Sequence, residues 1–310
     1  MNLKGKIWTT AAIGLLLFFS TCKKEEVPGD LIGNNDAPYY GKISTVLIQN
    51  YVNRLFIDLI GREPLDVEME EEVAKLRATN VSFASRDSLV TMLQEDESFR
   101  VGDSSYKAAY YNRLYELFKV KMLEGASDGD VRRERGLISG QLIHDSLAGD
   151  WYNHAIKKSK IAKLDAVLAI DEEMMRGEIE VKDAFARLLD NAVYDRINMN
   201  TFNFIRASFS DLFGRYPTSS EFDNGYDIVE YNKPAVIFGK NASNKGEYID
   251  VLVNSREFYE GILRWTYGTL ISREPITEEI EAGLNAFYFD HDLPALQKTI
   301  LVTNEYANFN

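Results

Sequence analysis

Three stretches of this chain align without a gap. "VNRLFIDLIGREPLDVEME" runs from Val52 to Glu70, "IRASFSDLFGRYPTSSEFD" from Ile205 to Asp223, and "LRWTYGTLISREPITEEIE" from Leu263 to Glu281. Pro64, Pro217 and Pro275 share one column. A motif stated three times constrains the fold more than composition does, because self-similar segments form similar units that bury their apolar faces on one another. Val52, Ile205 and Leu263 come twelve residues before the proline. Phe56, Phe209 and Tyr267 follow four later, and Leu59, Leu212 and Leu270 three after that. Spacings of four and three put these side chains on one helix face. Gly61, Gly214 and Ser272 then stand where such a helix would end, and the proline bars its continuation. Asp66, Ser219 and Thr277 are predicted N-caps of a second helix. Glu68, Glu221 and Glu279 fall in its first turn, where a carboxylate suits the helix dipole. The pattern predicts helix, tight turn, helix.

Arg62, Arg215 and Arg273 recur two residues before the prolines. As a functional feature they form a row of ligand-binding guanidiniums. As a structural one, each caps the last carbonyls of the first helix or pairs with the glutamate of the second. The surrounding cap and turn residues favour the structural role.

A further shared element lies downstream. "LVTMLQEDESF" ends at Phe99, "YIDVLVNSREF" at Phe258 and "LQKTILVTNEY" at Tyr306, with Leu93, Leu252 and Ile300 in one apolar column. A fourth copy, "AFARLLDNAVY", ends at Tyr194, and its opening helix is "YNRLYELF", Tyr111 to Phe118. That copy lacks the Gly-Arg-x-Pro turn and has a longer middle, about 120 to 180. "PAVIFGK", Pro234 to Lys240, is the one extended-looking piece, without a clear partner. The expected fold is mainly α, built of tandem helical repeat units with little or no sheet. The expected division is a signal peptide over 1–21, a tether over 22–44, helical unit 1 over 45–105, a divergent, enlarged unit 2 over 106–198, unit 3 over 199–258 and unit 4 over 259–310.

The Leu-x-Gly-Arg-x-Pro-x-x-x-Glu pattern followed by the second helix resembles a domain of planctomycete cytochrome-associated proteins. It is also similar to extracellular tandem helical repeats and phycobilisome linkers. The resemblance covers about 50 residues per unit and implies a helical fold, not an activity. No Cys-x-x-Cys-His is present to carry over a haem site.

The N-terminus speaks to location. Lys4 and Lys6 precede an apolar run from Ile7 to Phe19, shorter than the roughly 20 residues a spanning helix needs. The run stops at Ser20-Thr21-Cys22, and Cys22 is the only cysteine, which excludes an internal disulfide. Small residues before a lone cysteine resemble the bacterial lipoprotein signal. That resemblance implies cleavage, Cys22 as the first mature residue, and lipid attachment there. Lys23-Lys24-Glu25-Glu26 resembles the surface-export address of Bacteroidota outer-membrane lipoproteins.

Loss of Lys4 and Lys6 with the signal takes the formal net charge from −13 to −15. An acidic chain lacks the footprint nucleic acid requires, and its net charge opposes peripheral binding to anionic lipid. "IHDSLAGDWYNH" gathers His144, Ser146 and His154, but without the base–orienter geometry of a nucleophilic site. "SDGD" and "FDHD" offer oxygen ligands without calcium-loop spacing. No cofactor or metal is expected. Tyr110, Tyr111, Tyr115, Trp151, Tyr259 and Trp265 are either helix–helix core or a platform for a partner. The expected function is that of a non-catalytic, lipid-anchored outer-membrane scaffold holding a protein partner in an envelope complex. The alternatives are a glycan-binding accessory lipoprotein of a nutrient-uptake system, and a hydrolase with paired carboxylates that sequence does not reveal.

Overall fold

The computed structural model describes residues 43–309. Cys22, the signal and nearly all of the predicted tether lie outside the described residues. Within them the chain is mainly α-helical. Thr45–Leu55 (α1) runs on through one wider π-type turn, Phe56–Ile60, and stops at Gly61, whose φ of 82° is left-handed. Asp66–Ala78 (α2) and Phe83–Glu95 (α3) follow. Then come Tyr106–Met122 (α4), the long pair Asp128–Ala148 (α5) and Trp151–Leu168 (α6), and Ile170–Met175 (α7), Val181–Leu189 (α8) and Ala192–Asn198 (α9). Thr201–Phe213 (α10) and Ser219–Tyr231 (α11) precede two short strands, Ala235–Ile237 (β1) and Lys240–Ala242 (β2). Lys245–Val253 (α12), Arg256–Ile271 (α13), Thr277–Asp290 (α14), Leu293–Leu301 (α15) and Asn304–Ala307 (α16) complete the body. Among the described residues no helix is long and apolar enough to cross a membrane.

Two expectations are corrected. The N-caps of α2, α11 and α14 are Leu65, Thr218 and Ile276, one residue before those predicted. The glutamate makes this tolerable: Glu68, Glu221 and Glu279 each reach back to accept the N–H of the cap residue, at 2.7, 2.7 and 2.8 Å. A side chain from inside the helix satisfies the cap amide, so an apolar cap is allowed. Second, the extended piece does have a partner. β1 pairs antiparallel with β2 through Phe238 and Gly239, both at positive φ (47° and 73°), as a tight two-residue hairpin requires. "KNA" has no apolar alternation to announce a strand.

The apolar columns form the core. Val52, Leu55, Phe56, Leu93, Ile205, Phe209, Leu252, Leu263 and Ile300 are all buried. Near the middle, Phe118 of α4 meets Phe185 of α8 at 4.8 Å between ring centroids, and Phe185 meets Phe258 of α13 at 5.4 Å. Successive parts of the chain pack together, and its last part also packs on its first. The Tyr51 hydroxyl donates to the Leu301 carbonyl at 3.1 Å, Arg54 donates to the Tyr306 carbonyl at 2.8 Å, and the Tyr306 hydroxyl reaches Asp58 at 2.8 Å. The Tyr110 hydroxyl bonds Gln297 at 2.6 Å and Gln94 bonds the Pro294 carbonyl at 3.0 Å. Both ends of the array thereby bury apolar surface that an open stack would expose. The terminal aromatics Tyr194, Phe258 and Tyr306 are buried, whereas Phe99 is 80% exposed.

Candidate functional site

The three arginines come first, because a free guanidinium would be a ligand site and an occupied one a brace. Arg62 donates from Nε and Nη2 to Asp103 (3.0 and 2.7 Å), from Nη1 and Nη2 to Glu68 (2.8 and 2.9 Å), and from Nη1 to the Glu63 carbonyl (2.9 Å). Arg215 makes the same set with Glu257, Glu221 and the Tyr216 carbonyl. Arg273 does so with Glu305, Glu279 and the Glu274 carbonyl. A guanidinium has five N–H groups, and here each of the three uses them all. The aromatic six residues earlier lies under each: Phe56, Phe209 and Tyr267 sit 5.5, 5.1 and 5.4 Å from the guanidinium carbon. No donor remains for a ligand, so these are braces that lock the turn to the second helix. The carbonyl each donates to is that of the following residue, outside the first helix, so helix-end capping by arginine is replaced by turn capping.

The charges agree. The Arg215 hydrogen bonds hold the Glu221 carboxyl down at about 2, with the Thr218 amide and hydroxyl assisting against burial. Burial alone would raise Glu68, but Arg62, the Tyr106 hydroxyl at 2.6 Å and the Leu65 amide outweigh it and the carboxyl lies low. The third carboxylate was missed from sequence. Glu257 and Glu305 share a column just before the terminal aromatic, but Ser98 occupies it in the first segment, and Asp103 in the next loop substitutes.

A different arginine is not consumed. Arg264 of α13 is held by Glu260 (2.7 Å) and Glu274 (3.3 Å). The aligned columns in the earlier segment hold Arg206, Phe202 and Tyr216. Both carboxylates are therefore replaced by aromatics, and Arg206 has no ion-pair or hydrogen-bond partner among the described residues. Its guanidinium carbon instead lies 4.6 Å from the Tyr216 ring and 5.6 Å from the Phe202 ring. Tyr216 is 65% and Phe202 48% exposed. Pro217, Ser219, Phe222 and Asp223 complete a shallow cleft of about 310 Å³ around them. Phe222 stacks on Tyr226 at 6.0 Å and Tyr226 meets Tyr231 at 5.8 Å, extending the aromatic surface along α11. An open cation between two exposed rings attracts a carboxylate while the rings cover its apolar flank.

Of the six aromatics readable as core or as a platform, most are core. Tyr110, Tyr115 and Tyr259 are about 1% exposed and so cannot meet a partner. Their spacing follows the buried face, and their hydroxyls point inward: Tyr115 to Asp128 at 2.9 Å, Tyr110 to Gln297. Tyr111 and Trp265 are half-buried, Trp265 against Phe118 at 5.8 Å. Trp265 also lines a groove with Lys121, Arg264 and Gly268. Only Trp151 is freely exposed, at the turn between α5 and α6. The residues of "SDGD" cap α5: Ser127 is its N-cap and Asp130 bonds back to it, while Asp128 takes the Lys119 ammonium at 2.6 Å. His291 stacks on Tyr259 and bonds Glu180 at 2.8 Å. Among the described residues no three His, Cys, Asp or Glu side chains converge as a metal group. No protein family, curated protein or solved structure matches this chain.

Proposed function

We propose that the protein is a lipid-anchored scaffold of the outer membrane, tethered through Cys22, that holds a protein partner through the cleft around Arg206. The observation that carries the binding half of this reading is the pair of replacements in one column set. Where Arg264 is neutralised by Glu260 and Glu274, Arg206 stands between exposed Phe202 and Tyr216. The partner would present a carboxylate beside an apolar side chain. The lipoprotein-like N-terminal sequence supports the anchoring half, and the Arg62, Arg215 and Arg273 braces supply the rigidity a scaffold needs. A glycan is the second reading, favoured by Asp223 and Ser219, which offer hydroxyl-bonding groups beside the rings.

A photo-crosslinking residue at Tyr216 in intact cells tests the binding half. A discrete adduct that Arg206→Glu abolishes and Arg206→Lys reduces supports it. Adducts unaffected by Arg206→Glu count against it, and specific competition by a defined oligosaccharide would favour the glycan. Cys22→Ala is expected to release the protein from the membrane fraction. Native membrane partitioning of that variant would sink the anchor.

A further inference from the structure

The α5–α6 hairpin differs from the rest of the body in both packing and charge. In α5 only Val131, Ile138 and Asp145 are buried, and in α6 only Leu164 and Val167. Beyond Ile138 and before Leu164, then, Asp145 is the single buried residue, and the far end of the hairpin projects from the core. That end carries a group of exposed apolar side chains: Leu147 at 85%, Tyr152 at 78%, Trp151 at 65% and Ile143 at 60% exposed. From Val131 to Lys163 there are seven basic and three acidic residues, in a chain of net charge −13.

The order along the helix axis matters most. Tyr152, Ile156 and Lys160 are spaced by four and share one face of α6, while Trp151 and Lys158, seven apart, share another. Each aromatic at the tip is thus followed by a lysine about 10–12 Å back toward the base, at 1.5 Å per residue. Neither Lys158 nor Lys160 has an ion-pair partner among the described residues. Lys157 is paired with Asp145, and Asp150 is occupied in capping α6 through the Asn153 amide at 3.1 Å. His144 and His154 flank the same end, His154 against the Trp151 ring.

We propose that this tip seats in a lipid bilayer interface, with Leu147, Trp151 and Tyr152 at the acyl boundary and Lys158 and Lys160 at the phosphates. An apolar knob with Trp and Tyr at its end and a cationic collar matches the interface, where amphipathic elements sit about 5–10 Å deep and lysines reach outward to headgroups. The net negative charge of the body does not oppose it decisively, since at physiological salt a field is screened within about 8 Å. This contact is independent of lipid on Cys22.

The test uses the chain from Lys23 to Asn310, which retains the whole described body and its core. It is sedimented with vesicles of phosphatidylcholine alone or of equal parts phosphatidylethanolamine and phosphatidylglycerol. Binding to both, tighter to the anionic vesicles, is expected, with Trp151 emission quenched by brominated acyl chains. Leu147→Asn and Trp151→Ala should each weaken binding about tenfold, the loss of one large buried apolar side chain. Lys158→Gln with Lys160→Gln should weaken binding to the anionic vesicles about thirtyfold and leave the neutral ones nearly unchanged. All four side chains are exposed, so melting temperatures should not move. No sedimentation with either vesicle, or equal sedimentation of Leu147→Asn, overturns the proposal. So does a wild-type dimer in ultracentrifugation that Leu147→Asn turns to monomer, which would make the tip a contact between copies.

Discussion

Two glycines on α13, seven residues apart and so on nearly the same face, should respond oppositely to alanine. At Gly261 an added Cβ would overlap the Leu212 carbonyl oxygen and lie 3.1 Å from its carbonyl carbon and 3.3 Å from the Phe213 Cα. All three are backbone atoms at the end of α10, so no rotamer change relieves the overlap; α10 and α13 must separate. Close carbon–oxygen contacts need about 3.3 Å, which the Leu212 oxygen cannot have without a shift of the helix pair. Overpacking of this kind costs about 1–3 kcal/mol and more when backbone must move. The propensity gain of alanine over glycine returns about 1 kcal/mol. With the overlap falling on backbone the cost lies at the top of that range, and Gly261→Ala should therefore destabilise by about 2 kcal/mol. At Gly268 a Cβ meets nothing within 4 Å. There only the propensity gain remains, and Gly268→Ala should stabilise by up to about 1 kcal/mol. Urea unfolding followed by circular dichroism gives both numbers from one assay. A Gly261→Ala midpoint equal to or above wild type would refute the close approach of α10 and α13.

Arg215→Met leaves Glu221 and Glu257 facing each other without their cation and should cost about 2 kcal/mol at neutral pH. The pH dependence has a definite sign. Glu221 is held at about 2 in the fold against the 4.5 of a free glutamate, chiefly by Arg215, so its contribution is present above pH 4.5 and disappears as pH falls toward 2. The gap between wild type and Arg215→Met in chemical unfolding should thus narrow from pH 5 to about pH 3; a constant gap would contradict the pairing. Lys119 is 1% exposed and held by Glu116 and Asp128 at 2.7 and 2.6 Å. Lys119→Ala should cost about 2–3 kcal/mol, because it leaves a void where the buried Lys119 stem packed and takes the buried cation from Asp128, which keeps the Tyr115 hydroxyl. Lys119→Met combined with Asp128→Asn should recover most of that in the same urea assay.

The helices and their ends were readable because their signals are local. Spacings of three and four marked the buried face from Val52 to Leu59, and Gly61 and Gly214 marked left-handed stops that other residues adopt at a cost. The cap position was displaced by one because Glu68 and Glu279 accept the cap residue's own N–H, so Leu65 and Ile276 can stand there without a side-chain oxygen. Pairings distant in sequence were not legible. Asp103 on Arg62, Tyr306 on Asp58 and Gln297 on Tyr110 span from 41 to 248 residues and leave no periodic trace. The aromatics stayed ambiguous for a physical reason: tyrosine at core spacing and tyrosine at a binding surface have the same composition, and only burial separates Tyr110 from Tyr216. The Arg206 cleft was nonetheless written in the alignment. Reading the columns for replacements rather than identities puts Phe202 and Tyr216 where Glu260 and Glu274 stand.

That reading also explains where an acid-rich chain keeps its open cations. With 48 acidic residues against 35 basic, most guanidiniums and ammoniums find a carboxylate within 4 Å. A cation that finds none on such a surface is one whose neighbours are not acids; Arg206 lies instead against the exposed Tyr216 and Phe202 rings, and Lys158 and Lys160 have no ion-pair partner among the described residues. Unpaired exposed charge adds nothing to folding stability, and exposed Tyr216, Trp151 and Leu147 forgo the gain of burial. Stability therefore does not account for the pairing of these two features. Association of the kind proposed for both would, since a second surface would supply the anion and the apolar contact together. The two proposed places lie on different elements, α10–α11 and the α5–α6 tip, and their chemistry differs. The first is a cleft of about 310 Å³ with one guanidinium, suited to a single side chain or sugar. The second is a convex knob with two lysines set back from its tip, suited to a layered surface. Substitution at one should leave binding at the other intact, because no residue is shared between them.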